Sequence, residues 1–138
     1  MDKAKLLSLE GLLLDVMPEY QKGAEEVLAK SMRLNPSDPE TMNILGHILW
    51  KKGDLEGSKN CFEESVKKKP NLRGLRYLAI TLRSVPCEPK EKAANIQRSV
   101  DLAKQALSLN LKDGESWCME LLIKTFLEMR TYLTIVSI

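Results

Sequence analysis

Asn43–Asp54, NILGHILWKKGD, is the stretch of sequence that decides the fold of this chain. It predicts a helix with one small residue, Gly46, in an otherwise apolar row, followed by a tight Lys-Gly-Asp turn. A second amphipathic run extends from Leu55 to Lys69 and ends at Pro70. Two helices folded back on each other cannot bury both of their apolar faces, so the hairpin requires similar hairpins as neighbours.

The hairpin recurs along the chain. Pro36 and Pro70 are 34 residues apart, and three further pairs on the second helices have the same spacing: Ala24 and Ser58, Leu28 and Phe62, and Ser31 and Ser65. On the first helices the small residues Gly11, Gly46 and Ala79 recur at intervals of 35 and 33. Small residues at such places allow helix axes to approach closely.

This pattern resembles the tetratricopeptide repeat, a 34-residue helix-turn-helix unit. The resemblance covers about Ala4 to Trp117 and implies an all-α tetratricopeptide-repeat α-solenoid of about three and a half repeats and seven helices. The expected helices are Lys5–Val16, Lys22–Leu34, Pro39–Lys52, Asp54–Lys69, Leu72–Ser84, Glu91–Leu109 and Glu115–Arg130. We expect one domain over residues 4–138, with repeats at 4–38, 39–71 and 72–113 and a partial repeat at 114–138. The third repeat has about seven extra residues, placed in a longer loop at Val85–Asn95.

Composition favours a soluble globular domain and excludes several other classes. The chain has 138 residues and a net charge of +2, which is too small to indicate nucleic-acid or membrane binding. No segment approaches the roughly 20 apolar residues of a membrane span, and the N-terminus does not predict a signal peptide. Cys61, Cys87 and Cys118 form no C-x-x-C pair, which predicts reduced thiols in the cytosol or nucleus.

The sequence offers little chemistry for catalysis. His47 is the only histidine, so no histidine pair or histidine-based metal cluster is available. The run Gly53–Lys59 lacks the spacing of a phosphate-binding loop, and no strand precedes it. We therefore expect no enzyme activity, no metal and no cofactor.

The first helices of stacked hairpins line a concave groove, and their groove-facing residues are the candidate site. These are Asn43, His47 and Trp50 in the second repeat and Arg73, Arg76 and Arg83 in the third. Asparagine can bind a peptide backbone, arginine presents a planar fork to a carboxylate, and tryptophan offers area for an apolar side chain. An extended, acidic peptide is the predicted ligand. The alternative is that these are ordinary solvated side chains.

A closer resemblance rests on Asn43–Asp54, Tyr77–Arg83 and Asp113–Trp117, which look like the Strap family of tetratricopeptide-repeat proteins. Members of that family are stress-responsive transcription cofactors and tubulin autoregulation factors. The resemblance implies three partners: an acetyltransferase coactivator, the nascent tubulin N-terminus and the ribosome, in cytoplasm and nucleus. It implies that Arg83 pairs with an acidic residue of the nascent peptide and that Lys30 and Arg33 face the ribosome. The other reading is a generic repeat adaptor with a different partner.

The sequence after Trp117 leaves the family pattern and ends in the apolar, β-branched run Tyr132–Ile138. Terminal repeats normally expose a polar outer face. We therefore interpret the chain as a truncated or alternatively ended solenoid whose tail promotes self-association. The alternative is that the tail folds back as a cap.

Overall fold

The computed structural model describes residues 2–110 together with Leu127, Arg130 and Thr131. The described part contains six α-helices: α1 (Lys3–Asp15), α2 (Lys22–Leu34), α3 (Pro39–Lys52), α4 (Leu55–Lys68), α5 (Leu72–Ser84) and α6 (Pro89–Asn110). The chain divides into two compact units at the bond between Pro70 and Asn71. The first unit holds α1–α4 and the second holds α5 and α6.

Short polar side chains set where the helices begin. The carboxylates of Asp2, Asp38 and Asp54 accept hydrogen bonds from backbone N–H groups in the first turns of α1, α3 and α4, and the Asn71 side chain does the same for α5. Each of these bonds satisfies a donor that the helix leaves unpaired.

The Lys-Gly-Asp turn that joins α3 to α4 depends on glycine. Gly53 has φ = 92°, a left-handed conformation that side chains with a Cβ rarely adopt. The Asp54 N–H donates to the Leu49 carbonyl across the helix end at 3.0 Å, as in a Schellman motif. This turn reverses the chain within two residues, so α3 and α4 pack as an antiparallel hairpin.

Small residues mark the points where the helices of a hairpin cross. A Cβ added at Gly11 would lie 2.5 Å from the Leu28 side chain, and one at Gly46 would lie 2.8 Å from the Phe62 ring. The close approach predicted from the recurrence of small residues is thus present in both hairpins of the first unit.

Buried serines join the two helices of each hairpin. The Ser31 hydroxyl donates to the Ala4 carbonyl at 2.7 Å, and Ser65, 34 residues later, donates to the Pro39 carbonyl at 3.0 Å. Closer to the crossing points, Ser58 donates to Gly46 and Ser99 donates to Ala79, at 2.8 and 2.9 Å. The acceptor carbonyls use a second lone pair, because their first is available to the helix itself.

The core of the first unit is aliphatic. Ala24 and Leu28 of α2 pack with Ile44 and Ile48 of α3, and Leu12, Leu14, Tyr20 and Leu45 contact this cluster from its edges. In the second unit the buried apolar residues recur mainly every three or four positions, as expected for one face of a helix. They are Leu75, Leu78, Ala79 and Leu82 on α5 and Ile96, Val100, Leu102, Ala103 and Ala106 on α6.

The predicted fold class, an all-α tetratricopeptide-repeat α-solenoid, is confirmed, and α2, α3 and α5 have the predicted ends. The extra residues of the third repeat lengthen α6, which has 22 residues, rather than the loop that was expected. The reason is local, since Pro89 suits the first position of a helix and the following Lys-Glu-Lys-Ala-Ala run favours helix formation. The seventh predicted helix falls almost entirely outside the described residues, as does the tail at 132–138. The repeat boundaries stay a prediction.

Within the described residues, none of the helices combines the length and the apolar character required to cross a membrane.

Candidate peptide-binding surfaces

Three arginines line one stripe of α5 in the second unit. Arg73, Arg76 and Arg83 are separated by three and seven residues, so they lie on the same side of the helix, and all three are half-buried. The Arg76 guanidinium lies 5.3 Å from the centre of the Tyr77 ring, a cation–π contact that orients it. We call this set the α5 arginine stripe.

Arg83 lies at the C-terminal end of α5, where two contacts hold it. Its Nε donates to the Ala79 carbonyl one turn earlier at 3.4 Å. The Lys92 ammonium of α6 donates to the Arg83 backbone carbonyl, so a cation occupies the negative end of the α5 dipole. The first contact holds the side chain against its own helix and the second holds the helix end, while the role of Arg83 in ligand binding stays a prediction.

In the first unit, His47 is joined to a buried carboxylate. Its Nδ1 lies 2.6 Å from Oδ2 of Asp15, whose side chain is 5% exposed, whereas the imidazole is 21% exposed. Lys51 donates from Nζ to Asp15 Oδ1 at 2.8 Å and to the carbonyls of Asp15 and Met17 at 2.5 and 2.8 Å. His47 is thus fixed against Asp15 where α1 packs on α3, and its role in ligand binding stays a prediction.

Trp50 is the exposed partner of His47. The two rings are nearly parallel, with an interplanar angle of 17° and centroids 6.4 Å apart, and Trp50 is 41% exposed. A half-exposed indole backed by a fixed imidazole is a rigid, flat surface for an apolar side chain.

Asn43 does not line a surface. Its side chain is 1% exposed, among the most deeply buried large side chains of the described residues. The predicted solvent-facing position of Asn43 is thus corrected: the residue lies in the interior, where a peptide cannot reach it without rearrangement.

Lys30 and Arg33, the residues predicted to face the ribosome, are both exposed on α2. They line a cleft of about 320 Å³ that also includes Lys22, Tyr20 and Lys52. We call it the α2 basic cleft. Its acidic members are engaged, since Glu26 lies 4.0 Å from Lys22 and Glu25 lies 3.2 Å from Lys52.

A three-residue cluster forms one wall of that cleft. The Tyr20 hydroxyl donates to Glu25, and Lys52 both donates to Glu25 and lies 5.6 Å from the centre of the Tyr20 ring. The Tyr20 hydrogen bond is the main reason that the pKa of Glu25 is lowered, and Lys52 lowers it further. The same contacts with Glu25 raise the pKa values of Tyr20 and Lys52.

The described part of the chain contains two free cysteines, Cys61 and Cys87. No group of three or more His, Cys, Asp or Glu side chains is placed to hold a metal ion in that part. Burial raises the pKa of the Cys61 thiol to about 11, so little reactive thiolate is present at neutral pH.

Sequence reasoning missed Asp15, Tyr20 and Glu25. Asp15 contacts residues 32 and 36 positions later, a separation of about one repeat. The repeat spacing could have predicted this contact. The first helices of successive repeats are neighbours, and one repeat after the acidic residue Asp15 the sequence has a His-x-x-x-Lys pair. The structure brings His47 and Trp50 together in one unit and the three arginines together in the other.

Paired antiparallel helices with small residues at their crossings and a 34-residue period are the features of a tetratricopeptide-repeat fold. In agreement, residues 39–72 match the tetratricopeptide repeat family.

The chain is 36% identical to human (Homo sapiens) Tetratricopeptide repeat protein 5 over 116 residues, which cover 83% of this chain and 26% of the human protein. The Bos taurus protein of that name is 36% identical over 115 residues and the Mus musculus protein 34% over 116, with the same 83% and 26% coverage. The resemblance to the Strap family, whose members carry this name, is therefore confirmed. This chain spans about a quarter of the length of these relatives, 26%.

Proposed function

We propose that this chain is a non-enzymatic protein-interaction scaffold that binds an extended acidic peptide along the α5 arginine stripe, with Arg83 as the main contact. A scaffold role in general is supported by the repeat fold and by the similarity to Tetratricopeptide repeat protein 5. The observation that carries the specific proposal is the alignment of Arg73, Arg76 and Arg83 on one face of α5.

The stripe suits carboxylates for two physical reasons. A guanidinium binds a carboxylate through two parallel hydrogen bonds, and half-burial reduces the screening that weakens exposed ion pairs. The seven-residue separation of Arg76 and Arg83 corresponds to about 10.5 Å along the helix. A peptide in the polyproline II conformation has three residues per turn and rises about 3.1 Å per residue, so acidic side chains three positions apart lie on one side about 9 Å apart and match the two arginines.

The stacked pair of Trp50 and His47 provides a second kind of contact, in the first unit. Its exposed indole supplies apolar area of the type that dominates binding energy in peptide interfaces.

The resemblance to the Strap family names the partners in this proposal. They are the nascent tubulin N-terminus at the ribosome, whose recognition leads to decay of tubulin messenger RNA, and an acetyltransferase coactivator in stress-responsive transcription. Lys30 and Arg33 in the α2 basic cleft would meet the ribosome. The corresponding locations are cytoplasm and nucleus. The second candidate is a generic adaptor that uses the same stripe for an unrelated acidic partner.

The resemblance to the Strap family implies that the nascent tubulin N-terminus begins Met-Arg-Glu. Peptide binding by the α5 arginine stripe is tested by titrating a labelled peptide with this start into the wild-type chain and into Arg83→Ala. Loss of a charged hydrogen bond should weaken binding about tenfold or more. Arg98→Ala, which removes the same charge from an exposed site on α6, is the matched control and should retain wild-type affinity. Arg83→Lys keeps the charge but not the fork and should recover only part of the affinity.

A peptide beginning Met-Arg-Gln separates acidic recognition from contacts with the rest of the peptide. Equal binding of the two peptides by the wild type, or equal binding by wild type and Arg83→Ala, would refute the proposed site. Strong capture of another acidic protein, without ribosomes or coactivator, would instead favour the generic adaptor.

Ribosome contact is tested by co-sedimentation of Lys30→Glu/Arg33→Glu. The double variant should remain in the supernatant, whereas Lys67→Glu/Lys68→Glu, with the same charge change on α4, should sediment like the wild type. If both pairs sediment equally, the α2 basic cleft has no such role.

A further inference from the structure

We propose that the outward face of α1 is an interface between two copies of this chain, in which the two α1 helices pack antiparallel about a two-fold axis. This inference goes beyond the proposed function, because the surface uses none of the residues assigned to peptide or ribosome binding and its partner is a second copy of the chain. Five exposed apolar residues form the surface: Leu6, Leu9, Leu13, Val16 and Met17. We call this set the α1 apolar stripe.

The α1 apolar stripe is continuous and lies opposite the packed face of the helix. Its members follow one another at intervals of three, four, three and one residues, which keeps them within about 100° of each other around a helix. The packed face carries the Ala4 carbonyl, which accepts from Ser31, and Gly11, which lies against Leu28. Packing of α1 within the first unit therefore leaves the stripe uncovered.

The exposed apolar area suits a weak dimer. Leu13 and Val16 are 72% and 76% exposed, and the least exposed member, Leu9, is 41% exposed. Five neighbouring side chains of this kind approach the largest apolar patch of a typical monomer, about 300–600 Å². A two-fold contact buries the patch on both copies, so the buried total approaches the roughly 1,000 Å² expected of a specific interface. We therefore expect a reversible dimer with a dissociation constant on the order of 10–100 µM.

The charges at the two ends of α1 favour a second copy in the antiparallel arrangement. Lys3 and Lys5 are exposed at the beginning of the helix, and Glu19 is exposed shortly after its end. When two α1 helices lie antiparallel, the lysines of each copy lie beside Glu19 of the other, so opposite charges meet at both ends of the contact. The positive end of each helix dipole also lies beside the negative end of the other. A parallel pair would bring like charges together.

The apolar side chains match in the same arrangement. With the two-fold axis level with the middle of α1, Leu9 faces Leu13 of the second copy and Leu6 faces Val16 of the second copy. Met17 then faces the aliphatic stem of Lys5. The stripe is thus complementary to itself in both apolar contacts and charge, which is the requirement for a two-fold interface.

The test measures the oligomeric state of the full chain. Sedimentation velocity between about 5 and 500 µM should show reversible conversion of monomer to dimer, with nothing larger, because a two-fold contact is closed. Leu13→Asp places a charge near the axis and should weaken dimerisation about tenfold or more. Leu34→Asp, the same change at a 54% exposed leucine that ends α2, should leave it unchanged. Thermal unfolding followed by circular dichroism checks that both variants are folded.

A charge exchange tests the antiparallel orientation. Lys5→Glu and Glu19→Lys should each weaken the dimer about threefold to tenfold, and the double variant should recover wild-type affinity because opposite charges meet again. Glu10 is exposed on the rim of the stripe near the axis, where the two copies bring like charges together. Glu10→Gln should therefore strengthen the dimer about twofold.

Three results would overturn the proposal: a monomer throughout the concentration range, equal effects of Leu13→Asp and Leu34→Asp, or no recovery in the double charge exchange. A dimer that is lost in Ile135→Asp but retained in Leu13→Asp would assign self-association to the C-terminal tail instead. Arg83→Ala should dimerise like the wild type, so failure of this interface and failure of the α5 arginine stripe are distinguished.

Discussion

The Ser31 hydroxyl donates a buried hydrogen bond to the backbone carbonyl of Ala4, 27 residues earlier and on the partner helix of the same hairpin. The second hairpin repeats this link with Ser65 and Pro39. A bond of this kind fixes how close the two helices lie and how each is rotated about its own axis. Apolar packing alone fixes these two quantities less strictly.

Removing either hydroxyl should destabilise the chain by a similar amount. Ser31→Ala and Ser65→Ala should each lower the free energy of unfolding by about 1 kcal/mol, the usual net value of an intramolecular hydrogen bond. Urea denaturation followed by circular dichroism measures the loss. Ser84→Ala is the control, since that exposed hydroxyl donates only to Ile80 of its own helix, and its effect should be within about 0.5 kcal/mol. If Ser84→Ala lowers the free energy of unfolding as much as the other two substitutions do, the hydrogen bonds between helices stabilise the chain no more than a surface hydroxyl does.

The contact of Gly46 with Phe62 should make Gly46→Ala destabilising, although alanine is the better helix former. The added methyl group would lie 2.8 Å from the ring, and the resulting overpacking should cost about 1–3 kcal/mol in unfolding experiments. Gly23→Ala, where nothing lies within 4 Å, should be neutral or stabilising by up to about 0.5 kcal/mol. Phe62→Leu should relieve part of the cost of Gly46→Ala in the double variant. If Gly46→Ala is as well tolerated as Gly23→Ala, the helices are not in the close contact described.

Lys51 should contribute to stability through Asp15 and the end of α1. Lys51→Met keeps the aliphatic stem but removes three hydrogen bonds and leaves the buried carboxylate with His47 alone, so we expect a loss of about 2 kcal/mol. Lys68→Met, at an exposed site in the last turn of α4, should change stability by less than about 0.5 kcal/mol. Adding Asp15→Asn should reduce the cost of Lys51→Met, because the charge left unpaired is gone. Additive effects of the two substitutions would contradict a direct pairing.

Glu25 should make the chain less stable in acid. Because its pKa in the folded state is below its ordinary value, the unfolded state binds the proton more readily, and the stabilisation is lost as pH falls below about 4.5 through the lowered pKa. Carboxyl NMR titration should place the Glu25 midpoint below 4.5 and show it rising in Tyr20→Phe, which removes the main hydrogen bond. Tyr77→Phe, a hydroxyl deletion in the other unit, should leave the midpoint unchanged. If Tyr20→Phe leaves the Glu25 midpoint unchanged, the Tyr20 hydrogen bond is not the cause of the lowered pKa of Glu25.

The hairpins of this fold could be predicted because their signals are local or periodic. The Lys-Gly-Asp turn needs a left-handed residue, the small residues at 11 and 46 recur with the repeat, and the prolines and capping aspartates delimit helices. The connection after α5 is shorter than expected, because the sixth helix was predicted to begin at Glu91, whereas α6 begins at Pro89, a residue suited to the first position of a helix.

The candidate site was harder to predict, because a repeat position gives a residue's direction but not its neighbours. Asn43 occupies a place that lines the groove in the repeat pattern, yet it is buried by the packing around α3. The Nδ1 of His47 lies 2.6 Å from Oδ2 of Asp15 on α1, a contact that the repeat position of His47 does not predict. Trp50 is exposed, and its role in ligand binding stays a prediction.

The serine links have a consequence for how much sequence change the hairpins tolerate. Their acceptors are main-chain oxygens, of an alanine in one hairpin and a proline in the other, so the bond does not depend on which side chain the acceptor residue bears. Exposed residues of a first helix can thus be exchanged while this alignment of the two helices persists. The hydrogen bonds that align the helices are therefore separate from the exposed side chains that would contact a ligand. New binding preferences could be engineered into this chain without redesigning its interior.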